Sequence, residues 1–418
     1  ILTPLAEKER SNMANNENDL FNEAERRGVV MRRIEYSNLL DQNGNNNKSE
    51  NAKIFMVMKD AVGKIEKVWK IYKNSKNRRI KNGVKLLENY IKRKVLKLFD
   101  YLNNEKLKEI YMSHNSSVLS FKNGLKNKGD ALVDFILSKN KEARQKIRAS
   151  YKACYGKDLL SDIDHHLHAN LKKTVKGLFM RPAEFDAYNL YHAMKGVGTT
   201  EDALIEIICT RTNDQLKEII KEFEEFSPKA TLEQWVAGDT SGAFRNLLVA
   251  LLQCKRSDNS VPDDSKCRQL AAELYQAGEK RLGTNEDVFN KIFCLSSPPE
   301  IFSINDHYTS FSKNPLRKAI SREYFGNSEK ALTTILDYII SPSDYYANRI
   351  RKAVKGLGTH DRMLIRALVA REEIDIPEIR QSYQKLFGRS MIDDIRKDTS
   401  GDYRKLLLGL ASVNTKFE

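Results

Sequence analysis

Residues 194–208 read MKGVGTTEDALIEII, and residues 354–368 return as VKGLGTHDRMLIRAL. A second block follows each copy. Gly238-Asp-Thr-Ser-Gly-Ala-Phe-Arg-Asn-Leu-Leu248 matches Lys397-Asp-Thr-Ser-Gly-Asp-Tyr-Arg-Lys-Leu-Leu407. Two blocks in the same order at nearly the same separation mark an internal repeat. Weaker copies appear once the period is known. Lys280-Arg-Leu-Gly-Thr-Asn-Glu-Asp287 precedes Ser321-Arg-Glu-Tyr-Phe-Gly326, and the eroded Lys122-Asn-Gly-Leu-Lys-Asn127 precedes Asp164-His-His-Leu-His168. The equivalent loop positions are Gly124, Gly196, Arg281 and Gly356. The widest interval, between Gly196 and Arg281, holds the polar run RSDNSVPDDSK at 256–266, read as an inter-repeat linker.

Inside a repeat the apolar residues fall every three or four positions, as in Leu204, Ile205, Ile207 and Ile208, then Leu216, Ile219, Ile220 and Phe223. Thr199-x-x-Asp202 and Thr284-x-x-Asp287 resemble capping boxes, each expected to open a helix after its loop. The fourth copy departs, with Thr359-x-x-Arg362. Apolar runs at Leu247–Leu252 and Leu406–Leu410 read as buried closing helices, and no alternating strand pattern competes. The expected fold is all-α.

Composition agrees. Among 418 residues there are only 20 Gly and 9 Pro, too few breakers for a turn-rich β protein or a Gly/Pro-rich disordered chain. No apolar run reaches the eighteen or so residues of a membrane span, and no secretory signal is read at the start. The natural start is left open, upstream or at Met13. Cys154, Cys209, Cys254, Cys267 and Cys294 form no CxxC pair and are expected to be buried, reduced thiols.

The loops carry the chemistry. Gly-x-Gly permits a tight turn with convergent backbone carbonyls. Such carbonyls with one carboxylate form an oxygen site suited to calcium rather than zinc or copper. Asp239, Glu323 and Asp398 follow Gly196, Arg281 and Gly356 by 43, 42 and 42 positions, so the fold is expected to bring each acid beside its loop. In the rival reading the glycines merely shape a turn and the acids cap helices. Val197, Leu282 and Leu357 would stand at the loop tips as lipid contacts. The first repeat is expected to be a dead site, because Lys126 stands for the second glycine after Gly124 and His166 for the acid.

The M-K-G-x-G-T loop with its downstream G-D-T-S-G block, four times over, resembles the annexins across residues 113–418. The resemblance implies four repeats of about five helices each, forming a curved disc that binds acidic phospholipid membranes with calcium. It implies about three calcium sites. In repeat 2 the ligands are the carbonyls of Met194, Gly196 and Gly198 with Asp239. In repeat 4 they are Val354, Gly356 and Gly358 with Asp398. In repeat 3 they are Arg281 and Gly283 with Glu323, the first carbonyl falling on Gly278 or Glu279. The expected domains are a degenerate repeat 1 at 113–181, repeat 2 at 182–255, the linker at 256–266, repeat 3 at 267–341 and repeat 4 at 342–418.

Before these lies an Asn-rich, largely disordered tail at 1–52 and a basic amphipathic helical extension at 53–112. The net charge of +15 is concentrated there: residues 53–97 hold 15 Lys/Arg against Asp60, Glu66 and Glu88. Three readings stand for the extension: a helix packed on the core, a segment binding acidic membrane or a calmodulin-like or cytoskeletal partner, or nucleic-acid binding. The last has no RNP, zinc or helix-turn-helix signature behind it. Enzymatic activity is not expected, since the chain carries no G-x-S-x-G, H-E-x-x-H or P-loop motif. The reading is therefore a cytoplasmic protein, peripheral on membranes when calcium rises, or alternatively a scaffold acting mainly through its basic extension.

Overall fold

The computed structural model describes residues 117–413 except Leu357, all within the unit Met112–Glu418. The expectations for the tail, the basic extension and Leu357 lie outside the described residues, as does the Cys154 side chain.

Among the described residues there are twenty helices and no strand, in four sets of five. The first set is α1 (117–127), α2 (Asp130–Leu137), α3 (Lys141–Tyr155), α4 (Leu159–His166) and α5 (Ala169–Phe179). The second is α6 (Pro182–Met194), α7 (Glu201–Thr210), α8 (Asn213–Phe226), α9 (Leu232–Asp239) and α10 (Gly242–Leu252). The third is α11 (Asp264–Ala277), α12 (Glu286–Leu295), α13 (Pro298–Tyr308), α14 (Leu316–Glu323) and α15 (Gly326–Ile340). The fourth is α16 (Pro342–Val354), α17 (Asp361–Arg371), α18 (Ile376–Phe387), α19 (Met391–Asp398) and α20 (Gly401–Ala411).

Local chemistry sets many of these boundaries. Pro182, Pro298 and Pro342 occupy first helical positions, where the missing N–H has no helical partner in any case. Thr212 with Gln215, Thr231 with Gln234, and Ser297 with Glu300 form reciprocal capping boxes. The boxes expected at Thr199 and Thr284 do not form. The N-caps of α7 and α12 are Thr200 and Asn285, neither with a side-chain cap bond. The linker is shorter than expected, since Asp263 caps α11 and the helix begins at Asp264. Its Ser257 N–H donates to the carbonyl of Leu295, and its Arg256 carbonyl accepts from Asn213, so the crossing is tied to α12 and α8.

The repeats bury their apolar faces in two cores, not one. Repeats 2 and 3 share a core that includes Phe223, Leu248, Phe289 and Tyr308. Repeats 1 and 4, the ends of the described chain, share another around Phe121, Phe179, Tyr346 and Tyr383. α7 packs on α15 and α10 on α12 in the first pair, while α17 packs on α5 and α20 on α2 in the second.

Between the two cores lies a charged seam. Glu206 on α7, only 1% exposed, accepts from Arg349 at 2.5 Å and Arg366 at 2.9 Å, both from repeat 4. Arg211 holds Asp186 through two bonds, at 2.7 and 3.1 Å, and reaches the Tyr346 hydroxyl. Arg371 clamps Asp375 in the same forked way. Cys209, Cys267 and Cys294 are buried, Cys254 is partly so, and all four are free.

Candidate functional site

In repeats 2, 3 and 4 the first two helices are joined by an exposed loop that folds back on itself. The N–H of Thr200 donates to the carbonyl of Ala193, Asn285 to Ala277 and His360 to Ala353. The repeat 3 loop is thus one residue longer than the other two. Gly196, Gly198, Gly356 and Gly358 have φ of 113°, 83°, 127° and 83°, and Gly283 has 78°. Only glycine adopts these values without strain, which is why the turn is written Gly-x-Gly. The residue between takes the apex, and Val197 and Leu282 are fully exposed there. Met194 and Val354 open their loops with side chains sunk in the core.

The distant acid arrives by the same device each time. Asp239, Glu323 and Asp398 are the last residues of α9, α14 and α19. A threonine hydroxyl from the loop donates to each: Thr199 to Asp239 Oδ2 at 3.0 Å, Thr284 to Glu323 Oε2 at 2.5 Å, and Thr359 to Asp398 Oδ2 at 2.7 Å. The threonine read as a helix cap is therefore a strut from loop to acid. Among the described residues none of the three carboxylates forms an ion pair, and the second oxygen of each has no hydrogen bond. A carboxylate has about four lone-pair sites, so most acceptor capacity stays open beside a ring of backbone carbonyls. That donor set fits a hard divalent cation.

Repeat 3 solves the problem of its missing glycine differently. Gly278 takes the first loop position in close quarters: an added Cβ would lie 3.4 Å from Glu323 Cγ and 3.3 Å from Phe289 Cζ. Glu279 turns away and accepts from Tyr308 Oη at 3.0 Å and Asn314 Nδ2 at 2.7 Å, and from Ser312. Burial would raise the Glu279 carboxyl, but these bonds and nearby Arg322 outweigh it and hold the group below its usual range.

Repeat 1 lacks the loop altogether. Gly124 and Lys126 lie inside α1, not in a turn, and only Lys128 and Gly129 separate α1 from α2. Those two residues, at φ 56° and 72°, make the shortest reversal available. The connection is occupied by repeat 4: the Gly129 N–H donates to Asp402 and Lys405 pairs with Asp130. His166 does end α4, where the other repeats carry their acid, and its Nδ1 lies 2.8 Å from the Asp162 carbonyl.

The loops of repeats 2 and 4 are neighbours. Asp202, in the first turn after the repeat 2 loop, accepts from Lys352, in the last turn before the repeat 4 loop, at 2.7 Å. Burial would raise the Asp202 carboxyl, yet Lys352, Arg349 and Lys330 together hold it low. The ends of the repeat 2 and repeat 4 loops are thus tied together through Asp202 and Lys352.

One exposed residue escaped the sequence reading. Where repeats 2 and 4 have Asp-Thr-Ser-Gly, repeat 3 has Glu323-Tyr-Phe-Gly326. Tyr324 turns inward onto the Phe289 ring, 5.3 Å between centroids, and Phe325 turns out. The signal was present as an aromatic aligned with Ser241 and Ser400. Trp235 and Phe244 pack in or against the core, Trp235 donating to Ser227 at 2.8 Å.

A fourfold array of five-helix repeats, with Gly-rich loops braced onto a distal carboxylate, defines a class of calcium- and phospholipid-binding repeat proteins. The annexin family profile matches residues 120–178, 185–251, 270–335 and 345–410, and the chain belongs to the annexin family. Human annexin A11 is 39% identical over 285 residues, which are 68% of this chain and 56% of that protein. Human annexin A7 is 40% identical over 281 residues, 67% of this chain and 57% of that one. The chain thus spans little more than half the length of these relatives. Among solved structures, annexin III superposes with a TM-score of 0.69 at 34% identity, covering 72% of this chain and 94% of that one. A calcium-bound annexin (Sm)1 gives 0.64 at 26% identity, covering 72% and 90%. No helix of the described residues is long and apolar enough to cross a membrane.

Proposed function

We propose that this chain binds acidic phospholipid membranes in a calcium-dependent manner through the loops of repeats 2, 3 and 4, as a peripheral, non-catalytic membrane organiser on the cytoplasmic side. The observation that carries the reading is the thrice-repeated strut from loop threonine to an acid with no ion pair.

The carbonyls of Met194, Gly196 and Gly198 with Asp239 would hold one calcium ion, and those of Val354, Gly356 and Gly358 with Asp398 another. Gly278, Arg281 and Gly283 with Glu323 would hold the third. Gly278 is preferred to Glu279 because it follows Ala277 as Met194 follows Ala193 and Val354 follows Ala353, and it lies close to Glu323. Bound calcium supplies a doubly charged centre with room for a lipid phosphate or carboxylate oxygen beside the protein oxygens. Thr199, Thr284 and Thr359 orient the acids, and Val197 and Leu282 meet the lipid interface. Three sites act together, so the response to calcium is expected to be steep. Repeat 1 contributes no site.

A second reading rests on the 15 Lys/Arg of residues 53–97: the extension binds acidic membrane or an acidic protein partner without calcium. Co-sedimentation with phosphatidylserine vesicles separates the two. Pelleting with calcium, reversed by excess EGTA and missing with phosphatidylcholine, is the expected result, and removal of residues 1–112 is expected to leave it intact. Pelleting that persists in EGTA, weakens with salt and is lost on the truncation would make the extension the principal membrane element.

A further inference from the structure

We infer that Phe325 is a second apolar anchor in repeat 3, entering the lipid interface beside Leu282. The inference rests on the calcium-dependent membrane reading above and assigns one more residue to that surface.

Phe325 is the N-cap of α15 and is 81% exposed. A bulky apolar residue is a poor choice there, because Ser, Thr, Asn and Asp are strongly preferred at N-caps. It is no packing residue either, since the inward task falls to Tyr324. Neither Ser241 nor Ser400 makes a side-chain cap bond at the matching place, so the aromatic ring displaces no bond that its siblings make. What remains is a phenyl group held in water by a rigid helix start.

Its position says what covers it. The Thr284–Glu323 bond ties the two segments together, and Leu282 and Phe325 each lie two residues from that bond. No more than about 7 Å of chain on either side separates each from it. The loop tip and the helix cap therefore present two exposed apolar side chains at the same end of repeat 3, within about 20 Å of each other. Lys280, Arg281 and Arg322 are exposed in the same segments, beside the exposed acids Glu286 and Asp287. Exposed apolar side chains next to basic groups and a calcium loop match the interface of an acidic bilayer, with acyl chains below and phosphates above. Repeats 2 and 4 carry serine at the same place, so the anchor is particular to repeat 3.

The test compares the full chain with Phe325→Ser on phosphatidylserine vesicles across a calcium series. Phe302→Ser serves as control. Phe302 is exposed beside Ile339, at the other end of α15, about 20 Å along the helix from Gly326. Phe325→Ser is expected to weaken partitioning about tenfold at fixed calcium, with calcium binding in the absence of lipid unchanged and the control unaffected. As a second readout, Phe325→Trp is expected to gain fluorescence that brominated phosphatidylserine quenches only with calcium, over the baseline of Trp69 and Trp235. Wild-type pelleting matched by Phe325→Ser, or a Trp at 325 left unquenched, overturns this inference and leaves the calcium loops standing. A wild-type chain that fails to pellet at all removes both readings.

Discussion

Asp239→Asn, Glu323→Gln and Asp398→Asn combined in one chain are expected to abolish calcium-dependent pelleting while leaving the fold intact. Each change keeps the shape and the acceptor oxygen that the loop threonine uses, and removes only the charge. The carboxylates join no ion pair among the described residues, so no cation is orphaned by their loss. Backbone carbonyls alone make a weak calcium site, because affinity follows the number of charged ligands. With three sites weakened at once, avidity falls as well, and the calcium needed for half-maximal pelleting is expected to rise roughly a hundredfold or more. Calcium titration with phosphatidylserine vesicles measures it, beside helical content by circular dichroism. A triple variant that pellets at the wild-type calcium concentration would mean that these acids are not ligands.

Glu206→Ala is expected to have the largest effect on stability. Glu206 bridges Arg349 and Arg366, buried where repeat 2 meets repeat 4, and Arg349 has a second, longer contact at 3.9 Å with Asp202. Burial would raise its pKa, but the two guanidiniums outweigh that and hold it at about 2, from an ordinary 4.5. Removal leaves Arg366 without its acid and Arg349 with only the longer Asp202 contact, a loss of about 3–5 kcal/mol. The sign with pH follows from the lowered pKa. The stabilisation is complete above the unfolded carboxyl's pKa and is lost as pH falls through the folded value. The gap between wild type and variant should therefore hold from pH 7 to pH 5 and narrow toward pH 2. Chemical denaturation across that range measures both. A loss under 1 kcal/mol, or a gap that persists at the acid end, would show that the pair is solvated and not a keystone of the seam.

The fold was legible because it is periodic. Leu204, Ile205, Ile207 and Ile208 repeat at helical spacing, the loops repeat along the chain, and a 42- or 43-residue offset ties each acid to its loop. Local chemistry was read less well. Thr199 and Thr284 have a capping-box spacing, yet their hydroxyls bridge to acids forty residues away. Gly124 resembles a loop glycine but lies inside α1, because only two residues join α1 to α2 where the other repeats have a loop. The ion pairs of Arg211 and Arg371 were not legible: Asp186 lies 25 positions before Arg211, beyond any local spacing rule, and Asp375, four positions after Arg371, falls past the end of the helix where that spacing would signal a pair.

From the sequence alone came four repeats, an all-helical fold, and three glycine loops each owed a carboxylate. Those are properties of spacing, and spacing survives in one dimension. The tertiary structure decided which apolar faces meet: repeat 2 with 3, and repeat 1 with 4. It also placed Glu206 between two arginines of repeat 4, joined the repeat 2 and repeat 4 loop ends through Asp202 and Lys352, and sent Tyr324 inward and Phe325 out. The reason is that the four repeats present nearly equivalent apolar stripes. Which stripe covers which depends on how the helices close on one another in space, and no single repeat encodes that.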